Sequence, residues 1–406
     1  MSGKLPLDGV VVVDFSWALA GPWLTKNLAE HGAKVIKIET MTHLDHNRRS
    51  PPYKDGIPGV NRSAYWTYNN NDKFDITLNL KRPRGIEIAR QLVSKADVVA
   101  ENFAPGIMKR FGLNYDELVK IKPDIVMVSL SMQGQTGPHS RYVGYGWLLQ
   151  GISGLQSLAG FPDKPPLAAP GPQISDYVGA YSAIMAVMAA LHHRQKTGQG
   201  QYIDLSQFES AVCMLDPWLL DYTVNGREAR AMASRHPSAS PHGVFRCKGD
   251  DRWCAIGIFT ERDWETFTGI ASADARLGDP RFASVEGRKE HEDELEKLVD
   301  AWSINLTAEQ VMALLQAKGL AAGVVQNARD LFADPQLKWR GHYQMLEHVE
   351  VGPQVYEAAG FKLSRTPSRL RRPAPLLGQD NEYIYKEFLG MSEQEYVDAL
   401  LSGTFE

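Results

Sequence analysis

The sequence predicts an α/β protein in which a smaller lobe is inserted late in a larger α/β unit. Apolar strand-like runs alternate with stretches of helical spacing from the amino terminus onward, which is typical of βαβ units and a parallel sheet. The composition turns basic and polar between Asn225 and Gly243, where a boundary between lobes is expected. A strand-like patch and a helical region in the tail indicate a return to the first lobe. The predicted limits are 1–224 and 331–406 for the large domain and 225–330 for the small one.

The elements of the large domain follow from hydrophobic periodicity. The expected strands are Val10–Phe15, Lys34–Glu39, Phe74–Leu80, Asp97–Asn102, Ile125–Leu130 and Gln201–Leu205. The expected helices are Ala20–His31, Pro83–Ser94, Tyr115–Ile121 and Gln207–Tyr222, with a further helix after Asp176. Residues 40–71 are polar and rich in Asn, Arg and Pro, and are expected to form a long surface loop.

The smaller lobe and the tail show the same two periodicities. Strands are expected at Val244–Cys247, Trp253–Ile258 and Ala322–Gln326, and helices at Trp264–Ile270, Arg288–Ile304 and Ala308–Lys318. The tail is expected to contain a strand-like patch at Val355–Leu363 and a helical region at Asn381–Leu401.

Composition and charge narrow the class of protein. A hydrophobic content of 43%, a charged content of 23% and a net charge of −4 are ordinary for an enzyme and argue against nonspecific nucleic-acid binding. The cysteines Cys213, Cys247 and Cys254 lack metal-ligand spacing, so buried free thiols and no metal are expected. The first residues lack the long apolar core of a leader, and a cytoplasmic location without membrane association is expected.

The turn after the first strand argues against a dinucleotide cofactor. A nicotinamide or flavin protein would carry GxGxxG there, whereas residues 16–22 contain Gly21 alone. Residues 102–106 form another turn at a strand end, where open α/β sheets bind ligands. A plain turn is the alternative reading of that segment. The glycines of residues 142–160 indicate close backbone approach to a ligand or to another chain.

Asp176 is the first candidate for chemistry. The Pro-rich approach in residues 165–172 cannot be helical, so the apolar helix is expected to start at Ser175 or Asp176, with Asp176 as its cap and Lys196 and Gly198 at its end. Unpaired N–H groups and the helix dipole at that position favour the ionised carboxylate, which is a nucleophile at neutral pH. The alternative is an ordinary N-cap that only stabilises the helix.

Several stretches together resemble the family III coenzyme A transferases, which include formyl-CoA transferase and carnitine CoA-transferase. They occur in the family's order and span nearly the whole chain. They are VDFSWALAGPWLTKNLAEHGAKVIKIE, DITLNLKRPRG, ADVVAENFAPG, SLSMQGQTGP, the ISDYVGAYSAIMAVMAALHHRQKTGQGQYIDLSQFES stretch and RRPAPLLGQDNEYI. The resemblance implies a Rossmann-like large domain built from both termini, a smaller central α/β domain, and an interlocked dimer.

The resemblance also assigns roles to residues. It implies that Asp176 is the covalent nucleophile, that CoA is a substrate and that no cofactor is tightly bound. The implied CoA site contains Ala18, Leu19 and Ala20 near the thioester, Leu78, Asn79 and Lys81 at the nucleotide end, and Asn102, Phe103, Ala104 and Arg110. Gly144 and Tyr145 are further candidates for this site, and Gly144, Gly146 and Gly243 are candidate oxyanion donors.

The implied reaction moves CoA from an acyl-CoA to a free acid through an aspartyl-CoA thioester. Leu19 and Thr40 stand where formyl-CoA transferase has a glutamine and a basic residue, so oxalate is disfavoured as the acceptor. Trp17, Trp23, Trp66 and Trp147 suggest a bulky or aromatic acceptor such as benzylsuccinate, with succinyl-CoA as donor, unless these residues only pack the core.

Two alternatives stay open. An alpha-methylacyl-CoA racemase would need a histidine base where Tyr145 or Gly146 stands, and the nearest histidine in the sequence is His139. The chain could instead be one subunit of a hetero-oligomeric transferase, so the expected partner is a second copy or a related subunit.

Overall fold

The computed structural model describes residues 4–167 and 173–406. These residues form two compact units. The larger unit comprises residues 4–155, 173–225 and 337–406, and the smaller unit comprises 156–167 and 226–336. The domain limits drawn from the sequence stay a prediction.

The larger unit is built on a six-stranded sheet in the order β3-β2-β1-β4-β5-β6, in which every pairing is parallel. The strands are β1 Val11–Asp14, β2 Lys34–Glu39, β3 Phe74–Thr77, β4 Val98–Glu101, β5 Val126–Ser131 and β6 Gln201–Ser206. This is the doubly wound order, and the direction of winding reverses between β1 and β4. The predicted α/β class with a large parallel sheet is confirmed.

Helices cover both faces of this sheet. They are α1 Ala20–Glu30, α2 Ala64–Asn70, α3 Pro83–Ser94, α4 Ile107–Arg110, α5 Tyr115–Ile121, α6 Gly146–Ile152, α7 Ile174–Thr197, α8 Gln207–Val212 and α9 Asp216–Asn225. Neighbouring strand residues point to opposite faces, so Val12 packs in the core that contains α1 and α7, whereas Val13 packs in the core that contains α3 and α5.

Residues 40–71 are the expected surface loop only in part, because residues 50–60 are mostly exposed whereas the end of the segment is helical and buried. Their last part is α2, which Ser63 caps by accepting a hydrogen bond from the Trp66 N–H. Trp66 is fully buried, and the amide side chains of Asn69 and Asn70 are buried against helix carbonyls. Composition misled here because the side-chain N–H groups of these asparagines donate to carbonyls of the helix itself, which allows the side chains to be buried.

The long helix predicted at Gln207–Tyr222 is interrupted. It divides into α8, a 3₁₀ turn at Cys213–Leu215, and α9. Pro217 has no N–H to donate to the carbonyl of Cys213, which explains the break. Further 3₁₀ segments are His46–Arg49, Lys54–Gly56, Leu155–Leu158, Ala275–Gly278 and Pro280–Phe282. Cys213 is exposed, so the prediction of a buried thiol is wrong for it, whereas Cys247 and Cys254 are buried.

The smaller unit contains an antiparallel three-stranded sheet in the order β7-β8-β9. Its strands are β7 His242–Arg246, β8 Trp253–Gly257 and β9 Ala321–Val324. The helices are α10 Glu261–Ile270, α11 Val285–Glu290, α12 Glu292–Ser303, α13 Ala308–Gln316 and α14 Ala328–Ala333, and α15 Pro335–Arg340 leads into the tail. The single helix expected at Arg288–Ile304 is thus two helices that meet at His291.

The tail contains a hairpin and two helical segments. The hairpin strands are β10 Tyr343–His348 and β11 Gly352–Glu357, so the strand predicted at Val355–Leu363 ends early and its partner was not predicted. A π-helical segment at Tyr383–Phe388 and α16 Glu393–Leu401 follow. The tail also bonds the edge strand β3: the N–H groups of Asp75 and Thr77 donate to the side chains of Asp380 and Asn381 at 2.8 Å each.

Helix α7 organises one face of the sheet. Its small residues Ala180, Ala183 and Ala190 are buried against the strands, and Gly198 ends it in a left-handed conformation, as predicted. Among the described residues it is also the one helix that is long and apolar enough to cross a membrane by length and composition. The core helix of a globular unit passes the same test, and α7 packs in such a core.

Candidate active site

Two adjoining cavities lie at the carboxyl ends of the strands, at the switch point between β1 and β4. The first has a volume of about 570 Å³ and contains Asp176, and the second has a volume of about 680 Å³. Trp17, Phe103 and Ala104 line both cavities. These residues come from the turns that follow β1 and β4, which is where a doubly wound sheet binds its ligands.

The structure brings all the nucleophile and CoA-site candidates of the sequence analysis to these cavities. The first is lined by Asp176, Ala18, Leu19, Ala20, Asn102, Gly144 and Tyr145. The second is lined by Leu78, Asn79, Lys81 and Arg110, and Phe103 and Ala104 line both. Of the oxyanion candidates, Gly243 lies elsewhere, in β7 of the smaller unit.

Asp176 is not the cap of α7, so that prediction is wrong. The helix begins at Ile174 with Gln173 as its cap residue, and the Asp176 N–H donates to the Gln173 carbonyl at 2.9 Å. Asp176 therefore lies inside the first helical turn, and its Oδ1 accepts a hydrogen bond from Gln207 Nε2 at 3.0 Å. Residues 168–172 of the Pro-rich approach lie outside the described residues.

The pKa of Asp176 is raised from 3.8 to about 6, because burial disfavours the charged form more than the Gln207 hydrogen bond favours it. The net shift is therefore opposite in direction to the effect that was expected from the helix N–H groups. No Lys or Arg is found in the described lining of the first cavity that could offset the burial. At pH 7 the carboxylate is still mostly ionised, since the pH exceeds its pKa.

Gly146 fixes the other side of the Asp176 carboxylate. A Cβ built at this position would lie 2.5 Å from Asp176 Oδ2 and 2.3 Å from the Gln173 Cβ. Both distances are shorter than any van der Waals contact allows, so only glycine lets α6 approach the carboxylate this closely. Asp176 is thus held between an amide donor on α8 and a bare backbone on α6.

The second cavity has a charged floor and two exposed cations. Lys37, Glu39 and Asp45 line it and are buried, and Lys37 Nζ lies 3.5 Å from Asp45 Oδ2. Glu39 forms an ion pair with the buried Arg48, in which Glu39 Oε2 lies 2.6 Å from Arg48 Nη2. The floor therefore balances its own charge, whereas Lys81 and Arg110 are exposed at the wall, where an anionic ligand can meet them.

Gln207 and His46 are among the side chains of the first cavity that sequence reasoning missed. Gln207 gives no local signal, because its contact with Asp176 joins residues 31 positions apart. His46 lines the cavity and stacks on Tyr145 with ring centroids 5.9 Å apart. It lies in the segment that was interpreted as a long surface loop. His139, by contrast, stacks on Tyr142 and is absent from the described lining of both cavities.

The four tryptophans considered for the acceptor site divide equally. Trp17 and Trp147 line the first cavity. Trp23 and Trp66 are buried in the core and do not line it. Across residues 4–167 and 173–406, no three His, Cys, Asp or Glu side chains are grouped so that they could hold a metal ion.

The Asp176 carboxylate thus lies in a cavity at the switch point of a doubly wound α/β sheet, which is the usual ligand-binding position of this class of fold. Residues 7–381 match the family model described as CoA-transferase family III, and the chain belongs to this family. The predicted family and the predicted enzyme class, a CoA-transferase, are both confirmed.

Relatives and a solved structure extend this match. The chain is 31% identical to a succinyl-CoA–D-citramalate CoA-transferase of Chloroflexus aurantiacus, over 96% of each chain. It is 32% identical to a succinate–glutarate CoA-transferase of Agrobacterium fabrum, over 95% of this chain and 96% of that one. A crystal structure of a CaiB/BaiF family protein from Brucella suis matches with a TM-score of 0.87 and 29% identity, over 95% of this chain and 100% of that one.

Proposed function

We propose that the protein moves CoA from an acyl-CoA donor to a free carboxylic acid through a covalent aspartyl-CoA thioester on Asp176. The observation that carries this proposal is the position of the Asp176 carboxylate, in a cavity that adjoins a second cavity with exposed cations. A nucleophile in the first cavity and an anion site in the second suit a long substrate that has a reactive thioester at one end and phosphates at the other.

The chemistry needs no redox partner. Gln207 orients the Asp176 carboxylate through Oδ1, and the carboxylate attacks the thioester carbonyl of the donor. A C–O bond forms and the C–S bond breaks, which gives a mixed anhydride and a CoA thiolate. The thiolate then attacks the aspartyl carbonyl, the anhydride C–O bond breaks, and the donor acid leaves. The acceptor carboxylate repeats these steps in reverse order.

The second cavity is proposed to bind CoA. Lys81 and Arg110 supply positive charge for the phosphates, and Leu78, Phe103 and Ile107 supply apolar surface for the adenine. CoA is a substrate here, and no tightly bound cofactor takes part. The thioester would lie where the cavities meet, beside Ala18.

Oxyanion stabilisation is proposed to come from the start of α1. Leu19 and Ala20 line the first cavity, α1 begins at Ala20, and no side chain caps it. The first N–H groups of a helix have no partner within the helix, and they favour negative charge. They therefore suit the oxyanions of the tetrahedral intermediates.

The acceptor is proposed to be a dicarboxylic acid with an apolar or aromatic body, such as benzylsuccinate, with succinyl-CoA as the donor. Aromatic rings dominate the first cavity, including Trp17, Tyr145 and Trp147. In its described lining, His46 is the one side chain able to carry a positive charge, and it suits a single distal carboxylate. The citramalate and glutarate transferases similar to this chain are named for dicarboxylates.

The protein is proposed to act as an interlocked dimer, with a second copy or a related subunit. Apolar residues of α7 and α9 are exposed in the single chain, among them Tyr181, Met185, Trp218 and Leu220. Patches of this kind mark interfaces. Light scattering on the purified chain gives its oligomeric mass, and a transfer assay on the same sample distinguishes the alternatives, because a chain that needs a related subunit is inactive alone. The cytoplasmic location stays a prediction.

Trapping tests the nucleophile. The protein is incubated with succinyl-CoA and then treated with hydroxylamine or borohydride, and its peptides are analysed by mass spectrometry. A transferase gives a hydroxamate or an alcohol at Asp176, and the Asp176→Asn variant gives neither. Modification at another residue, or none in a protein that still exchanges acids, would refute the proposed mechanism. A racemase would remain unmodified.

Matched acids test the acceptor. Benzylsuccinate is compared with 4-phenylbutyrate, and glutarate with butyrate, because each pair differs by one carboxyl group. His46→Ala is expected to raise KM about tenfold for the dicarboxylates and to leave the monocarboxylates unchanged. Equal effects on both members of each pair would contradict the role of His46.

A further inference from the structure

The dipeptide Trp17-Ala18 stands where the two cavities meet, and side chains from outside α1 hold it. On one side is Asn102, which follows β4. Its Oδ1 accepts a hydrogen bond from the Trp17 N–H at 2.9 Å, and its Nδ2 donates to the Trp17 carbonyl at 2.9 Å. The Asn102 amide is therefore engaged at both ends with the backbone of a single residue.

The second residue of the dipeptide is held in the same way from the other side. Asp45 Oδ1 accepts hydrogen bonds from the Ala18 N–H at 3.0 Å and from the Asn47 N–H at 2.9 Å. Asn47 Nδ2 donates to the Ala18 carbonyl. Asp45 and Asn47 are only 3% and 4% exposed, so solvent does not compete for these bonds.

Ala18 needs such restraint because of its backbone conformation. Its φ of 60° lies in the left-handed region, which alanine rarely adopts and glycine adopts readily. The next residues, Leu19 and Ala20, open α1 and line the cavity of Asp176. The direction of their N–H groups therefore depends on the peptide that Ala18 sets.

We propose that Asp45, Asn47 and Asn102 act as positioning residues that hold Ala18 in the left-handed conformation, so that the N–H groups at the start of α1 face the thioester carbonyl. The chemical consequence rests on the proposed function, whereas the restraint itself does not. Asn102 thereby serves the reaction through Trp17 and not as a direct ligand of CoA.

A glycine rescue tests this proposal. Asn47→Leu removes the donor to Ala18 and keeps the number and branching of the side-chain heavy atoms. It is expected to lower kcat about tenfold, which is the effect of one lost hydrogen bond. Adding Ala18→Gly to that variant is expected to restore most of the loss, because glycine adopts the left-handed conformation without the restraint. A purely structural defect at position 47 would not be repaired in this way.

Asn69→Leu is the matched control. Asn69 is also buried and donates one hydrogen bond to a backbone carbonyl, that of Tyr65 within α2, but it does not line either cavity. Its loss is expected to lower stability and to leave kcat unchanged, with no response to Ala18→Gly. Equal rescue of the two variants, or none of Asn47→Leu, would overturn the proposal.

Amide hydrogen exchange gives a readout that does not depend on turnover. Asn47→Leu, or Asn47→Ala if the leucine variant does not fold, is expected to speed exchange in residues 16–20 at least tenfold, and Ala18→Gly to reverse part of that change. Unchanged exchange in this segment would overturn the restraint. If the wild-type protein transferred no CoA but the variants showed the expected changes in exchange, the proposed function would be refuted and the restraint would stand.

Discussion

Asp176→Asn should make the protein more stable above pH 6 while it abolishes transfer. The amide has nearly the shape of the carboxylate, and its oxygen can still accept the hydrogen bond from Gln207 Nε2. It carries no charge to bury and cannot form the aspartyl thioester. Loss of activity with a gain in stability is typical of a group that is held at a cost for chemistry.

The size of the gain follows from the pKa of Asp176. Burial raises it from 3.8 to about 6, so the folded state binds the proton more tightly than the unfolded chain does. The contribution of the protonated carboxyl to the free energy of unfolding is fully present below pH 3.8 and is lost as the pH rises through 6. The shift corresponds to at most about 3 kcal/mol, and screening at a partly exposed side chain reduces this to about 1–2 kcal/mol.

Urea titrations at pH 5 and pH 8 measure this effect. The free energy of unfolding of Asp176→Asn is expected to exceed that of the wild type by about 1–2 kcal/mol at pH 8 and by about half as much at pH 5. Asp72→Asn is the matched control, because burial also raises the pKa of Asp72 to about 6 but Asp72 lies outside the two cavities of the site. It should gain stability and keep transfer activity. An Asp176→Asn protein that is no more stable than the wild type at pH 8 would refute the reasoning.

Three further predictions concern the site. Gly146→Ala would place a Cβ 2.5 Å from Asp176 Oδ2 and should lower kcat about 100-fold in steady-state assays. Gly269→Ala is the control and should leave kcat unchanged, because there is open space around Gly269. Gln207→Leu should raise the pKa of Asp176 further, so the acid limb of the kcat/KM profile should move up by about one pH unit; an unmoved limb would contradict the hydrogen bond. Lys81→Ala and Arg110→Ala should each raise KM for the acyl-CoA about tenfold at low salt and less at high salt, with kcat unchanged; a fall in kcat alone would contradict a binding role.

The sheet of the larger unit could be predicted from the sequence to within about two residues for most strands. Strands such as β1 and β5 are buried on both faces, and most of their residues are apolar. Helix α3 could be predicted because Pro83 stands at its first position, where proline is favoured. Helix α2 gives no such signal, because its buried face includes asparagines. Strand β10 gives none either, because only one of its six residues is buried and its apolar and polar residues do not alternate.

The site could be predicted only in part, for a related reason. Asp176 stands at a recognisable break between a Pro-rich segment and an apolar helix, and the resemblance to a family pointed to the cavity residues. The direction of its pKa shift could not be predicted, because burial depends on α6 and α8, which the chain brings to Asp176 from 30 residues before and 31 after it. His46 was missed because only the fold brings it beside Tyr145.

The hydrogen bonds between β3 and the tail protect the edge of this sheet from pairing with the sheet of another molecule. A parallel sheet that ends in an open strand offers a row of free N–H and C=O groups to any passing chain. Here Asp380 and Asn381 occupy two of those N–H groups, and the Tyr385 hydroxyl donates to the Thr77 carbonyl at 2.7 Å. The residues that seal this edge follow it by about 305 positions, so during synthesis the strand emerges long before its cover. Shortened chains that end before residue 380 should therefore self-associate rather than simply lose activity.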